Sequence, residues 1–290
     1  MNLLIQLMSG LAVGCIYSLV AIGFSMIYRA MGLVNFAQGE IMMVGAFMGY
    51  TALTALPGVP FWLVIIMSAL ATGVIGLLIE RLAFWPAVRR KADQTYLVLL
   101  TLGVGIVLSN AARLIWGANP VVYPTPITHE VIMVAGYPVP GVYPYIGATM
   151  LILLIGLQFF FSRSWAGLAV RAAADDPETA SIMGVRLGFA SGVSFAIASG
   201  IGALAGVLYA PITFASFDMG MIGIKAFAAA ILGSLGSVPG AVVGGLIIGV
   251  GETVGGQLTA PEYQDSIAFL LMIAILLVRP TGLFPHGGKA

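Results

Sequence analysis

The side chains able to do chemistry are few and scattered through long apolar stretches. Asn35, Gln38, Glu40, Asn110, Arg113, Gln158, Asp218, Lys225 and Glu252 fall inside or at the borders of such stretches. A polar group in hydrocarbon is costly unless it faces a cavity or a partner, so these residues are the candidates for lining a path through a membrane. The plainer reading of each is a helix cap or a side chain snorkelling to the interface, and Arg113, near the end of its stretch, suits snorkelling best. His129, His286 and Cys15 are far apart, which leaves no metal site and no Cys/His nucleophile to assemble. Cys15 reads as a small apolar residue within a span. The lysines are Lys91, Lys225 and Lys289, and none follows a G-x-x-x-x-G-K-[ST] loop. Any ATP hydrolysis that drives this protein therefore belongs to another chain.

The composition explains why polar groups are so sparse. The 290 residues are 60% hydrophobic and 8% charged, with a mean hydropathy of +1.06. A soluble domain is about 45 to 50% apolar and about 25% charged, so this is a membrane protein. A net charge of +1 offers no basic surface for nucleic acid. A single cysteine rules out a disulfide scaffold, and long continuous apolar stretches rule out a transmembrane β-barrel.

A bilayer core needs about 20 apolar residues as helix. Uncharged stretches divided at Leu56-Pro57-Gly58-Val59-Pro60 and at Gly236-Ser237-Val238-Pro239-Gly240, where Pro and Gly break helices, place spans near 3–27, 40–56, 60–79, 95–115, 142–162, 188–210, 225–237, 240–252 and 265–279. The fold class is an all-α polytopic membrane protein of about 8–9 transmembrane or re-entrant helices. Of these, 225–237 and 240–252 are too short to cross upright and read as short helices or a re-entrant hairpin. The first segment reads as a retained span rather than a cleaved signal, because no basic n-region precedes it. Positive residues stay cytoplasmic in short loops. That rule places 80–94 and 163–186 inside, and it puts all twelve Lys/Arg except Arg113 and Lys225 on the same side.

Gly39 to Met48 resembles Ile224 to Gly233, each leading into a Pro-Gly turn, and the two run in opposite directions in this topology. Such an inverted repeat places a transport pathway at the repeat interface near mid-membrane. Two glycine-rich helices meeting the same packing need would look alike as well. Gly10 and Gly14, Gly45 and Gly49, Gly202 and Gly206, and Gly240 and Gly244 have the small-x-x-x-small spacing that brings helix backbones together in lipid. The repeat would put Asn35, Gln38 and Glu40 at the cytoplasmic mouth, with Asp218 and Lys225 at the other.

Segment 163–187 is polar and basic where its neighbours are apolar. Asp176 suits an N-cap, Pro177 the first helical position, Glu178 the positive end of the dipole and Gly184 the position just past the end. The pattern predicts a helix over 177–183, preceded by a second one capped by Ser164. Such a pair is either a knob for a partner's groove, presenting Ala180, Ile182 and Met183, or a solvated connection.

Arg171 to Val185 resembles the cytoplasmic coupling loop of permease subunits in ABC importers for branched-chain amino acids, the LivH type. Gly32 to Glu40, Leu232 to Ala241 and Arg279 to Phe284 resemble further motifs of that family, in the same order. The resemblance implies a single transmembrane permease domain over 1–290, multi-pass in a bacterial inner membrane. Its implied partners are a second homologous permease, two cytoplasmic ATP-binding subunits and a periplasmic solute-binding protein. It implies no cofactor on this chain, ATP being bound by the partners. It assigns coupling to Ala173, Asp176, Pro177, Glu178, Ala180, Met183 and Gly184, and no individual role to Asp175. Related permeases move urea and short amides, so that substrate class stays open beside branched-chain amino acids. An ion-coupled secondary transporter is a further alternative; it needs titratable groups at mid-membrane, where this reading places none.

Overall fold

The computed structural model describes residues 3–124, 131–134 and 137–284. His129, His286 and Lys289 lie outside them. Among the described residues six helices are long and apolar enough to cross a bilayer. They begin with α1 (Leu3–Met31), α3 (Phe61–Ile79), α5 (Gln94–Trp116), α6 (Val142–Arg163), α9 (Leu187–Tyr209) and α11 (Val238–Leu258). The shorter α2 (Gln38–Ala55), α10 (Gly220–Gly233) and α12 (Gln264–Val278) complete the membrane body. Helix α3 runs through a π-helical turn, Glu80–Phe84, into α4 (Trp85–Arg89). The wider turn accommodates Pro86, which lacks an N–H and whose ring would crowd the carbonyl of Leu82 in a regular helix. Between α5 and α6 a two-stranded antiparallel hairpin, β1 (Val131–Val134) and β2 (Tyr137–Pro140), adds a small sheet to the otherwise helical fold.

Two long antiparallel pairs form the frame. Along α1 and α11, Gly10 meets Val250, Gly14 meets Leu246, and Ser18 Oγ donates to the carbonyl of Val242 at 2.8 Å. Along α3 and α9, Gly73 meets Ala196 and Gly200 meets Ala69. Helix α2 packs into α9, with Gly45 against Ala203 and Gly206 against Met42, while α10 packs against α1 and α11. The four small-residue pairs read from the sequence all lie at close contacts of this kind, and at every one of these glycines but Gly202 an added methyl group would overlap a neighbour.

The packing has the pattern that the repeat read from the sequence requires: if α1, α2 and α3 correspond to α9, α10 and α11, the pair α1–α11 corresponds to the pair α9–α3. The two end pairs mirror each other: Gln6 of α1 bonds Gln257 of α11, and Ser191 of α9 donates to Glu80 Oε1 at the end of α3, at 2.5 Å. Gly39 and Gly223 approach each other at the centre.

The structure corrects the reading of 225–252. Helix α11 is a 21-residue span, not half of a short hairpin. The charge count stopped the segment at Glu252, but Lys225 bonds that carboxylate at 2.7 Å inside the protein, so the helix continues past it. Of the two helices in this segment only α10, with 14 residues, is short. The arginine-rich loops do gather at one end. A cavity of about 680 Å³ there is lined by Arg29, Arg89, Asp175, Leu187 and Gly236.

Candidate functional site

The first turn of α2 lies deep in the bundle rather than at a surface. Its depth comes from the 32–37 connection, which turns inward after α1: Asn35 Oδ1 accepts from the Ala37 N–H at 3.2 Å, a local Asx turn that starts the helix. Gln38 is fully buried and its Nε2 donates to the carbonyl of Ala198 at 2.9 Å. Ala198 is at the middle of the 23-residue α9, so α2 begins near mid-span. Asn35 and Gln38 were expected at the cytoplasmic mouth because a turn between spans is ordinarily at the surface; burial against α9 overrides that. Glu40 extends from the same turn toward Gly105 of α5 and Gly220 of α10, both of which lack the Cβ that would crowd its carboxylate. Gly105 is mid-way along α5, so a carboxylate sits at mid-membrane after all.

Glu40 borders a cleft of about 450 Å³ between α2 and α5, shared with Phe36, Thr101, Ser109, Asn110 and Arg113. The Arg113 guanidinium stacks over the Phe217 ring at 4.1 Å instead of reaching outward alone. On the other half, Asp218 is exposed and lines a separate cleft with Tyr209, Thr213 and Ser216. Lys225 does not face either cleft. It joins three helices, bonding Glu252 Oε1 at 2.7 Å and Asp265 Oδ1 at 2.6 Å, while Tyr17 donates to Glu252 Oε2 at 2.9 Å. Of the five residues proposed for a path, the structure places Glu40 and Asp218 at clefts, Asn35 and Gln38 in the packed core and Lys225 in an ion cluster.

At the arginine-rich end, α7 (Trp165–Asp175) and α8 (Pro177–Ile182) form the expected pair of short helices. Ser164 Oγ accepts from the Gly167 N–H at 2.9 Å. Asp176 Oδ1 accepts from the N–H groups of Glu178 and Thr179, each at 3.1 Å, and Oδ2 accepts from the Thr179 hydroxyl at 2.5 Å. Pro177 follows at the first helical position. Gly184 has φ +89°, a conformation that strains any residue with a Cβ, and it ends the helix. Ala173 is buried with Val170 and Ala190, which ties α7 to α9. Ala180 differs from expectation: it is 5% exposed and faces the body, where it anchors α8. Ile182 and Met183, 85% and 79% exposed, are the side chains presented outward. Asp175 lies 3.7 Å from Arg29 of α1.

Residues 6–276 match the family described as the permease component of the branched-chain amino acid transport system. The chain belongs to that family. It is 34% identical to the high-affinity branched-chain amino acid transport system permease protein BraD of Pseudomonas aeruginosa, over 96% of this chain and 94% of that one. It is 33% identical to the corresponding protein LivH of Escherichia coli over the same shares. A probable branched-chain amino acid transport permease of Methanocaldococcus jannaschii is 29% identical over 91% of this chain and 87% of its own. No solved structure matches the chain.

Three features of this permease were not legible in its sequence. Thr101 and Ser109 are single small polar residues in an apolar helix, a pattern with no signal of its own until Glu40 is seen across the cleft. Asp265 is distant in sequence from Lys225 and joins it only through tertiary packing. Glu80 is buried at the π-turn, bonded to Ser191 and 3.7 Å from Arg81. The polar turn at the end of α3 was a possible signal, but nothing in the chain named Ser191 as its partner.

The Asp176 cap has a pH signature. The Thr179 hydroxyl, then the backbone N–H groups of Thr179 and Glu178, hold its carboxyl below the usual carboxylate range. A folded pKa below the unfolded one means that the cap's stabilisation is complete above about pH 4. It is lost as pH falls through the folded value. Hydrogen exchange at the Thr179 amide should therefore stay protected at pH 5 and lose protection in more acidic buffer, relative to an Asp176→Asn variant whose cap cannot titrate. Identical acid dependence in the two proteins would exclude the cap as its source.

Proposed function

We propose that this permease is the membrane-spanning subunit of an ATP-binding-cassette importer that moves branched-chain amino acids across the inner membrane. The hydrolysing subunits are separate chains, since this one has no phosphate-binding loop. The observation that carries the reading is α7–α8. It is a pair of helices capped at Ser164 and Asp176 and terminated at Gly184, and it presents Ile182 and Met183 at the arginine-rich end. An exposed apolar pair on a rigid mount suits a partner's groove, whereas a solvated connection has no need of it. In this reading Ala173 and Ala180 seat the two helices on the body. Asp176, Pro177, Glu178 and Gly184 shape α8, and Met183 with Ile182 makes the contact. The partners are two cytoplasmic ATP-binding subunits, a second homologous permease and a periplasmic solute-binding protein.

The path is assigned to the α2–α5 side. The α5 surface carries Leu99, Leu102, Ile106 and Val107 exposed beside the polar cleft, and a second permease would cover it. The frame residues Asn35, Gln38 and Lys225 keep α2 and α10 in place. The mid-membrane position of Glu40 is what an ion-coupled carrier would also need; a mounted docking helix is what it would not.

Purification of the tagged permease in mild detergent tests the assembly. ATP-binding chains and a second permease should come with it, with ATPase activity in the eluate, and all should be lost when 177–183 is replaced by a Gly/Ser linker. A single chain that moves solute into liposomes without ATP would overturn the reading.

A further inference from the structure

The α2–α5 cleft is lined by one negative side chain, Glu40 of α2, and one positive, Arg113 of α5, and the charges suit a zwitterion. The Glu40 carboxylate has no ion-pair partner among the described residues, and neither does the Arg113 guanidinium. In the other half Lys225, Glu252 and Asp265 neutralise one another instead. Glu40 sits opposite Gly105, and Arg113 is eight residues further along α5, which is about 12 Å at 1.5 Å per residue. That is much more than separates the ammonium and carboxylate of one α-amino acid. The two groups therefore act on a passing molecule in succession, Arg113 near the outer end and Glu40 at the centre. Phe36, Leu102 and Ile106 line the same cleft and offer an apolar flank to an aliphatic side chain.

We propose that Arg113 and Glu40 are successive stations for the α-carboxylate and then the α-ammonium of an amino-acid substrate. This rests on the amino-acid reading above and deepens it. An unpaired ammonium at mid-membrane is expensive, and a carboxylate at that depth lowers the barrier. One carboxylate, with glycine on both sides and no further ligands, does so without holding the solute tightly. A neutral amide or urea needs neither charge, so the pair also distinguishes the two substrate classes.

The test is uptake of radiolabelled L-leucine, and separately of urea and acetamide, into vesicles carrying the complete importer with its partner chains. Each rate is normalised to the amount of assembled complex. Glu40→Gln should lower the maximal leucine rate at least tenfold while the KM stays within about twofold, the solute being captured first by another chain. Glu40→Asp should recover a substantial part of the rate. Arg113→Met, on an exposed face and independent of the packing around Glu40, should show the same split, with recovery in Arg113→Lys. Wild-type leucine uptake with Glu40→Gln and Arg113→Met as fast as wild type would overturn the stations and leave the importer reading standing. Wild-type vesicles that move urea or acetamide and not leucine would overturn the substrate reading itself.

Discussion

Replacing Ile182 and Met183 together by aspartate is expected to reduce ATP-driven uptake more than tenfold and to strip the ATP-binding chains from the purified permease. Both side chains are almost wholly exposed, so they contribute little to the fold, and the variant should insert and run as a folded protein in detergent. As the apolar centre of a docking surface they would each be worth about 2 kcal/mol or more to the partner contact. Burying two carboxylates against the partner adds a desolvation penalty. Ala180→Trp should give the same loss by a different route, because a large side chain at this inward position lifts α8 from the body. Full uptake in the double aspartate variant, with partners still bound, would remove α8 from the coupling pathway.

Lys225→Met carries the largest expected cost in stability. The ammonium bonds both Glu252 and Asp265, and Glu252 is 6% exposed. Removing the positive partner leaves a buried carboxylate uncompensated, a loss of about 3–5 kcal/mol for pairs of this kind. The cluster joins α10, α11 and α12, with Tyr17 of α1 bonded to the same carboxylate, so the loss should loosen these elements together. The midpoint of thermal unfolding in detergent should fall by several degrees. Glu252→Gln in the same chain should restore a good part of it, since the neutral amide can keep the Tyr17 bond without an unpaired charge. A double variant as unstable as Lys225→Met alone would show that the lysine contributes packing and not charge compensation.

Much of this molecule was legible in its residues. Helix number, the arginine-rich side, and the caps at Ser164, Asp176 and Gly184 follow from composition and from interactions a few residues long. These signals are local: hydropathy over one span, a side-chain oxygen within reach of the next turn, a glycine where φ must be positive. Depth and pairing are not local. A turn such as 32–37 looks like a surface connection in sequence, and only the seat of Gln38 on Ala198 shows that it enters the bundle and places Glu40 at mid-membrane. Glu252 marked the end of a segment by its charge, whereas Lys225, twenty-seven residues earlier, makes that charge tolerable and lets α11 cross. Ala180 read as part of an exposed face because the orientation of a six-residue helix is set by the body beneath it. Local free energies thus determined which elements form. Which polar groups meet, and at what depth, was decided by the packing of helices far apart in the chain.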